Sequence, residues 1–150
     1  MSLSRFLAAT TLIMATSIAA AADGLISVKS PRDTASTATR LEEVLKTHGQ
    51  TVVARVDHAA NAVKVGKTLR PTTVIVFGNP AGGTPLMECA QTMGIDLPQK
   101  MLIWEDEKGQ VWIGYNDPAY LLQRHGVTTC GAAENVSRGL AGLVEATVAP

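Results

Sequence analysis

Three stretches of this chain carry residue types that could do chemistry: Asp57-His58, Arg70 ahead of Pro71, and the run Gly78-Asn79-Pro80-Ala81-Gly82-Gly83-Thr84. The imidazole of His58 titrates nearest neutrality, which suits a general base or a ligand. Arg70 can present a planar guanidinium to a carboxylate, either a ligand's or an internal one such as Glu105 or Asp106. The Gly/Pro run joins an apolar strand to the start of a helix, with Thr84 as cap and Pro85 in the first turn. Free N–H groups and the positive end of a helix dipole would make that turn an anion cradle. Each feature also has a plainer reading. Asp57 can cap a short helical turn while His58 makes a structural hydrogen bond, Arg70 can pair internally, and a tight turn needs glycine for its backbone alone.

Two classes of function follow. The first, which the residues favour, is a binding or accessory module that takes a small polar or anionic ligand, or a partner protein, through Arg70, Asn79, Gly83, Thr84 and Asp57. The alternative is a small enzyme of hydrolase or lyase type with His58 as general base. The run is no nucleotide P-loop, which needs Lys followed by Ser or Thr where this chain has Thr84-Pro85. No nucleophile elbow, zinc spacing or paired-carboxylate motif supports catalysis. Met87, Cys89, Met93 and Cys130 offer soft ligands. Met87 and Cys89, two apart on a helix, point in different directions, so neither a metal nor a cofactor is assigned.

The elements that would position these residues are legible from pattern. With 150 residues, one domain is expected. Met1 to Ala22 holds Arg5 as its single charge, an apolar run and an Ala triplet at 20–22, which reads as a secretory signal peptide cleaved before Asp23. That run is too short and too rich in Ala, Thr and Ser for a membrane span of about 20 apolar residues. A periplasmic or secreted protein, with no membrane segment after cleavage, is the consequence. Basic and acidic residues number 13 each, so no basic stripe suits a nucleic acid.

From residue 23 onward a strand at Leu25–Ser30 precedes a helix capped by Asp33, whose Ala38, Leu41, Val44, Leu45 and His48 share one face. A strand at Thr51–Val56 and a helical turn ending at Val65-Gly66 follow. Thr73–Phe77, continuously apolar, reads as the central strand, buried on both faces. After the helix of Leu86, Cys89, Ala90 and Met93, Met101–Glu105 and Val111–Tyr115 flank a five-residue loop as a β-hairpin. Asp117-Pro118 starts a further helix, His125 can cap its end, and a last helix spans about 132–147, with Glu134 and Arg138 paired on its outer face. The order predicts an α+β fold with a mainly antiparallel sheet and helices on one face.

Asp57-His58-Ala59-Ala60, Leu69-Arg70-Pro71-Thr72, Phe77-Gly78-Asn79-Pro80, Gly83-Thr84-Pro85-Leu86-Met87, Asp96-Leu97-Pro98, Gly109 with Val111-Trp112, Tyr115-Asn116-Asp117-Pro118 and Arg124-His125-Gly126 together resemble the bacterial family called domain of unknown function 302. The resemblance covers Leu25 to Val127 and leaves the tail from Thr128 outside it. It implies a single β-α-β4-α unit, similar to the TATA-binding-protein-like fold, with extra helices. Homodimers are known for that architecture. The family is united by no established reaction.

The two cysteines leave two readings. An exported chain with Cys89 and Cys130 has one intramolecular pairing open to it. Closing a loop of about 40 residues would contribute roughly 4 kcal/mol at most. Alternatively the helix points Cys89 into the core as an inert thiol.

Overall fold

The computed structural model describes residues 24–150; the expected signal peptide, residues 1–22, lies outside the described residues. The elements are β1 (Leu25–Lys29), α1 (Thr34–Thr47), β2 (Thr51–Asp57), α2 (His58–Lys64), β3 (Thr72–Gly78) and α3 (Pro80–Cys89). A 3-10 turn over Gln91–Ile95 leads to β4 (Gln99–Glu105), β5 (Val111–Asn116), α4 (Pro118–Arg124) and α5 (Gly131–Val148). The five strands form one antiparallel sheet in the order β1-β5-β4-β3-β2. Stripped of α2, α3, the 3-10 turn and α4, this is the β-α-β4-α unit in an α+β fold.

Local chemistry accounts for the element starts. Asp33 accepts the Ser36 N–H at 2.8 Å and caps α1; Asp57 does the same for α2 through Ala60 N. The backbone hydrogen bonds of Asp33 hold its carboxyl below the usual range, the largest of them from Ser36. In the β4–β5 hairpin, Asp106 accepts the N–H groups of Lys108 and Gln110, and Gly109 takes the left-handed φ of 75° that the turn requires.

The main core lies between one sheet face and the helices α1 and α5: Leu41, Leu45, Ile75, Met101, Ile103 and Ile113 are fully buried there. α5 therefore docks on α1 and the sheet, and Arg32 Nη1 donates to the Thr147 carbonyl at 3.0 Å near its end. A second cluster of Leu86, Met93, Leu121, Cys130 and Ala133 packs α3, the 3-10 turn and α4 against the start of α5; Val136 touches both clusters.

Two expectations are corrected. The middle strand is β4, and β3 lies beside it with only one face buried. Thr73, Ile75 and Phe77 are interior, while Val74 and Val76 remain half-buried. Continuous apolarity arises because an antiparallel sheet can still use valine on its outer face, where Val74 sits opposite Leu102 and where Trp104 stacks on Trp112 at 6.4 Å. The second correction concerns α3. Asn79 caps it, accepting from Ala81 N at 2.9 Å, and Pro80 takes the first helical position, so Gly82, Gly83 and Thr84 are helical and Pro85 is internal. Asn-Pro supplied a cap and a pre-set φ five residues before Thr84-Pro85 did, and the chain used the earlier pair.

Candidate functional site

β3 separates the candidate residues into two groups. At its start stand Arg70, just ahead of Thr72, and Asp57, whose register partner is Thr73. At its end stand Gly78, Asn79 and α3. A strand rises about 3.3 Å per residue, so the two ends of this seven-residue strand are about 20 Å apart. Arg70 and Asp57 are thus not brought to Asn79, Gly83 and Thr84.

At the first end Arg70 and Asp57 each have a local partner. Arg70 Nε donates to the Glu105 carbonyl at 3.2 Å, and its Nη2 lies 3.9 Å from Glu107 Oε1, both side chains being exposed. The internal partners are therefore a backbone oxygen and the next acidic residue along from those anticipated. Asp57 caps α2. His58 is exposed, and among the described residues no hydrogen bond orients its ring. Close by in the hairpin, Trp112 Nε1 donates to Asp106 Oδ2 at 2.8 Å. That bond, aided by the turn's N–H groups and Lys108, holds the Asp106 carboxyl below the usual carboxylate range.

The other end of β3 opens into a cleft of about 770 Å³, well inside the size range of small-molecule sites. Phe77 and Gln99, register partners on the helix-covered sheet face, are among its lining residues. One wall is α3, through Gly82, Gly83, Thr84 and Met87; another is α5, through Asn135, Val136, Gly139, Leu140 and Leu143. Leu97-Pro98 and the Gln50–Thr51 turn complete it. The cleft thus lies at the seam between the two hydrophobic clusters. Asn79, Gly83 and Thr84 line it together, and among the described residues no charged one does. The polar groups of Asn79 are already engaged: besides capping α3, its Nδ2 donates to the Gly49 carbonyl at 3.2 Å.

Two ties hold the walls. Cys89, at the end of α3, is bonded to Cys130, the N-cap of α5, with Cα atoms 5.9 Å apart. The second tie was not anticipated from sequence. Asp96, 11% exposed, accepts from His125 Nε2 at 2.7 Å and pairs with Arg124 Nη1 at 3.2 Å; His125, 7% exposed, bonds Thr92 Oγ1 through Nδ1 at 2.9 Å. Lys100 Nζ donates to the carbonyls of Asp96 and Pro98. This network anchors the turn carrying Leu97 and the cis-bonded Pro98 to the end of α4. His125 does close α4, as expected, but its ring also joins Asp96-Leu97-Pro98 to Arg124-His125-Gly126. The sequence signal was there in those two motifs, though nothing in it showed that they meet. A hydroxyl, an imidazole and a carboxylate in a row resemble hydrolytic machinery. Here Arg124 also engages the carboxylate, and Thr92 is not among the cleft-lining residues.

Comparison with known proteins adds a family and a fold. The family described as domain of unknown function DUF302 matches residues 26–147, which takes in α5 as well as the part up to Val127. The chain is 48% identical over 102 residues to proteins named fluoride-specific ion channel FluC 1 from Brucella suis and from Brucella abortus. Those alignments cover 68% of this chain but only 40% and 38% of the relatives. The crystal structure of an uncharacterized conserved DUF302 protein from Bacillus stearothermophilus superposes with a TM-score of 0.76 at 21% identity, over 84% of this chain and 99% of that one.

Proposed function

The chain belongs to the DUF302 family, and on that premise we propose that it is an exported binding or accessory module whose ligand sits in the cleft between α3 and α5. The observation that carries this reading is the cleft itself: about 770 Å³, apolar walls, neutral amides and two threonines in its lining, and no charged lining residue among the described residues. A free carboxylate or phosphate would lose its hydration there without gaining a cation, which is costly. The ligand is accordingly a small neutral molecule with an apolar body, rather than an anion held by Arg70.

Export is supported by the leader-like sequence of residues 1–22 and by the Cys89–Cys130 bond, a kind that persists in oxidising compartments. Among the described residues no helix is long and apolar enough to cross a membrane. Because the chain spans about two-fifths of the FluC-named relatives, their channel activity is not carried over. What that match supports is an accessory role, since a segment like this one forms part of a longer protein there.

Titration with the neutral fluorophore N-phenylnaphthylamine tests the cleft. Saturable binding should be lost in Gly83→Leu. A Cβ at Gly83 has room, 3.8 Å from Leu97 Cδ1, and leucine would then fill the cleft from its wall. The helix should gain roughly 1 kcal/mol in propensity from that change. Absence of saturable binding by the unaltered protein would sink the reading.

A further inference from the structure

Among the cleft-lining residues one side-chain polar atom is both shielded from solvent and without a partner. Gln99 opens β4 and shares the helix-covered sheet face with its register partner Phe77, so the residue lines the cleft from the sheet side. Its Nε2 is shielded from solvent and has no hydrogen-bond partner among the described residues. A buried amide donor left unpaired is destabilising, and such groups are uncommon in folded proteins. The contrast with Asn79 is informative, because that amide, on the same cleft, is committed to Ala81 and Gly49.

We propose that Gln99 is a specificity-determining residue, whose side chain turns toward an entering ligand so that its shielded Nε2 donates a hydrogen bond to a carbonyl-type acceptor on an otherwise apolar, uncharged molecule. The inference rests on the reading of the cleft as a binding site and narrows it to a chemical class: small molecules with an aliphatic or aromatic body and a ketone, ester or amide oxygen. An anionic acceptor does not fit, because no cation lines the cleft to balance it. A purely apolar molecule would fill the space yet leave the Gln99 donor unpaired, so the site discriminates by the asymmetry between a satisfied and an orphaned buried group.

Two uncharged probes of similar size separate these cases: prodan, which carries a propionyl ketone, and N-phenylnaphthylamine, which has no carbonyl. In Gln99→Met, which keeps the shape and removes the donor, prodan binding should weaken about tenfold, the factor for one buried hydrogen bond. N-phenylnaphthylamine binding should change less than about twofold. The melting midpoint of the ligand-free variant should rise, since the orphaned donor is gone. Gln99→Glu, which puts an acceptor in the donor's place, should lose prodan at least as strongly. Equal changes for both probes, or none for prodan, would overturn the role of Gln99 while leaving the cleft as a binding site. If neither probe binds the unaltered protein, the cleft reading itself falls.

Discussion

The two ends of β3 use their polar residues in opposite ways. At the start of the strand Arg70 and Asp57 are exposed and Asp106 is half-buried, and each has a partner close by: a hairpin carbonyl and Glu107, a helix N-terminus, an indole N–H. At the end of the strand the lining is uncharged, and Gln99 keeps a donor in reserve. Arg70, Asp57 and Asp106 are thus consumed in holding turns. The place shaped to receive a ligand is built from leucines, glycines and amides. Unsatisfied capacity in a concave site, rather than chemical potency, distinguishes the candidate site.

The largest expected effect lies at the cleft end. Reducing Cys89–Cys130, or replacing both by serine, opens a loop of sequence separation 41 and should cost about 2–4 kcal/mol in denaturant unfolding. Because the bond joins α3 to α5, fluorophore binding should weaken with it. A stability loss with unchanged binding would mean that the walls hold without the tie. Next comes Asp96→Ala, which strands a nearly buried His125 beside Arg124 and should cost about 1–3 kcal/mol. It should weaken fluorophore binding too, through the Leu97-Pro98 wall. Unaltered binding would detach that network from the site.

Smaller effects are expected at the charged end, and these should spare the cleft. Asp106 has a folded pKa below its unfolded value, so its contribution is present above the ordinary carboxylate range and is lost as pH falls through the lowered value. Asp106→Asn should remove that part of the acid dependence seen by circular dichroism; an unchanged acid profile would contradict it. Arg70→Ala should be the mildest, costing less than about 1 kcal/mol because the ion pair with Glu107 is long and exposed. It should leave probe affinity intact. A clear loss of binding in Arg70→Ala would erase the contrast between the two ends.

Much of this was legible in the chain. Asp33 and Asp57 announce helices because a cap is a contact three residues long, and Asp106 with Gly109 announces the hairpin for the same reason. The start of α3 was misplaced because Asn79-Pro80 and Thr84-Pro85 are competing signals of the same kind, and only packing chooses between them. Thr73–Phe77 was read as buried on both sides because apolarity does not say which face a helix will cover.

By itself the sequence determined the order of elements, the family, the caps of α1, α2 and α4 and the pairing available to two cysteines, since these depend on neighbours a few residues apart or on a count. Only the tertiary structure decided that Arg70 and Thr84 stand at opposite ends of one strand, that Asp96 meets His125, and that Gln99 Nε2 is shielded and, among the described residues, unpartnered. Cleft walls drawn from Gln50, Asn79, Gln99 and Asn135 lie far apart along the chain. Whether a buried donor finds a partner is set by every side chain around it, and those neighbours come together only when the sheet and helices pack.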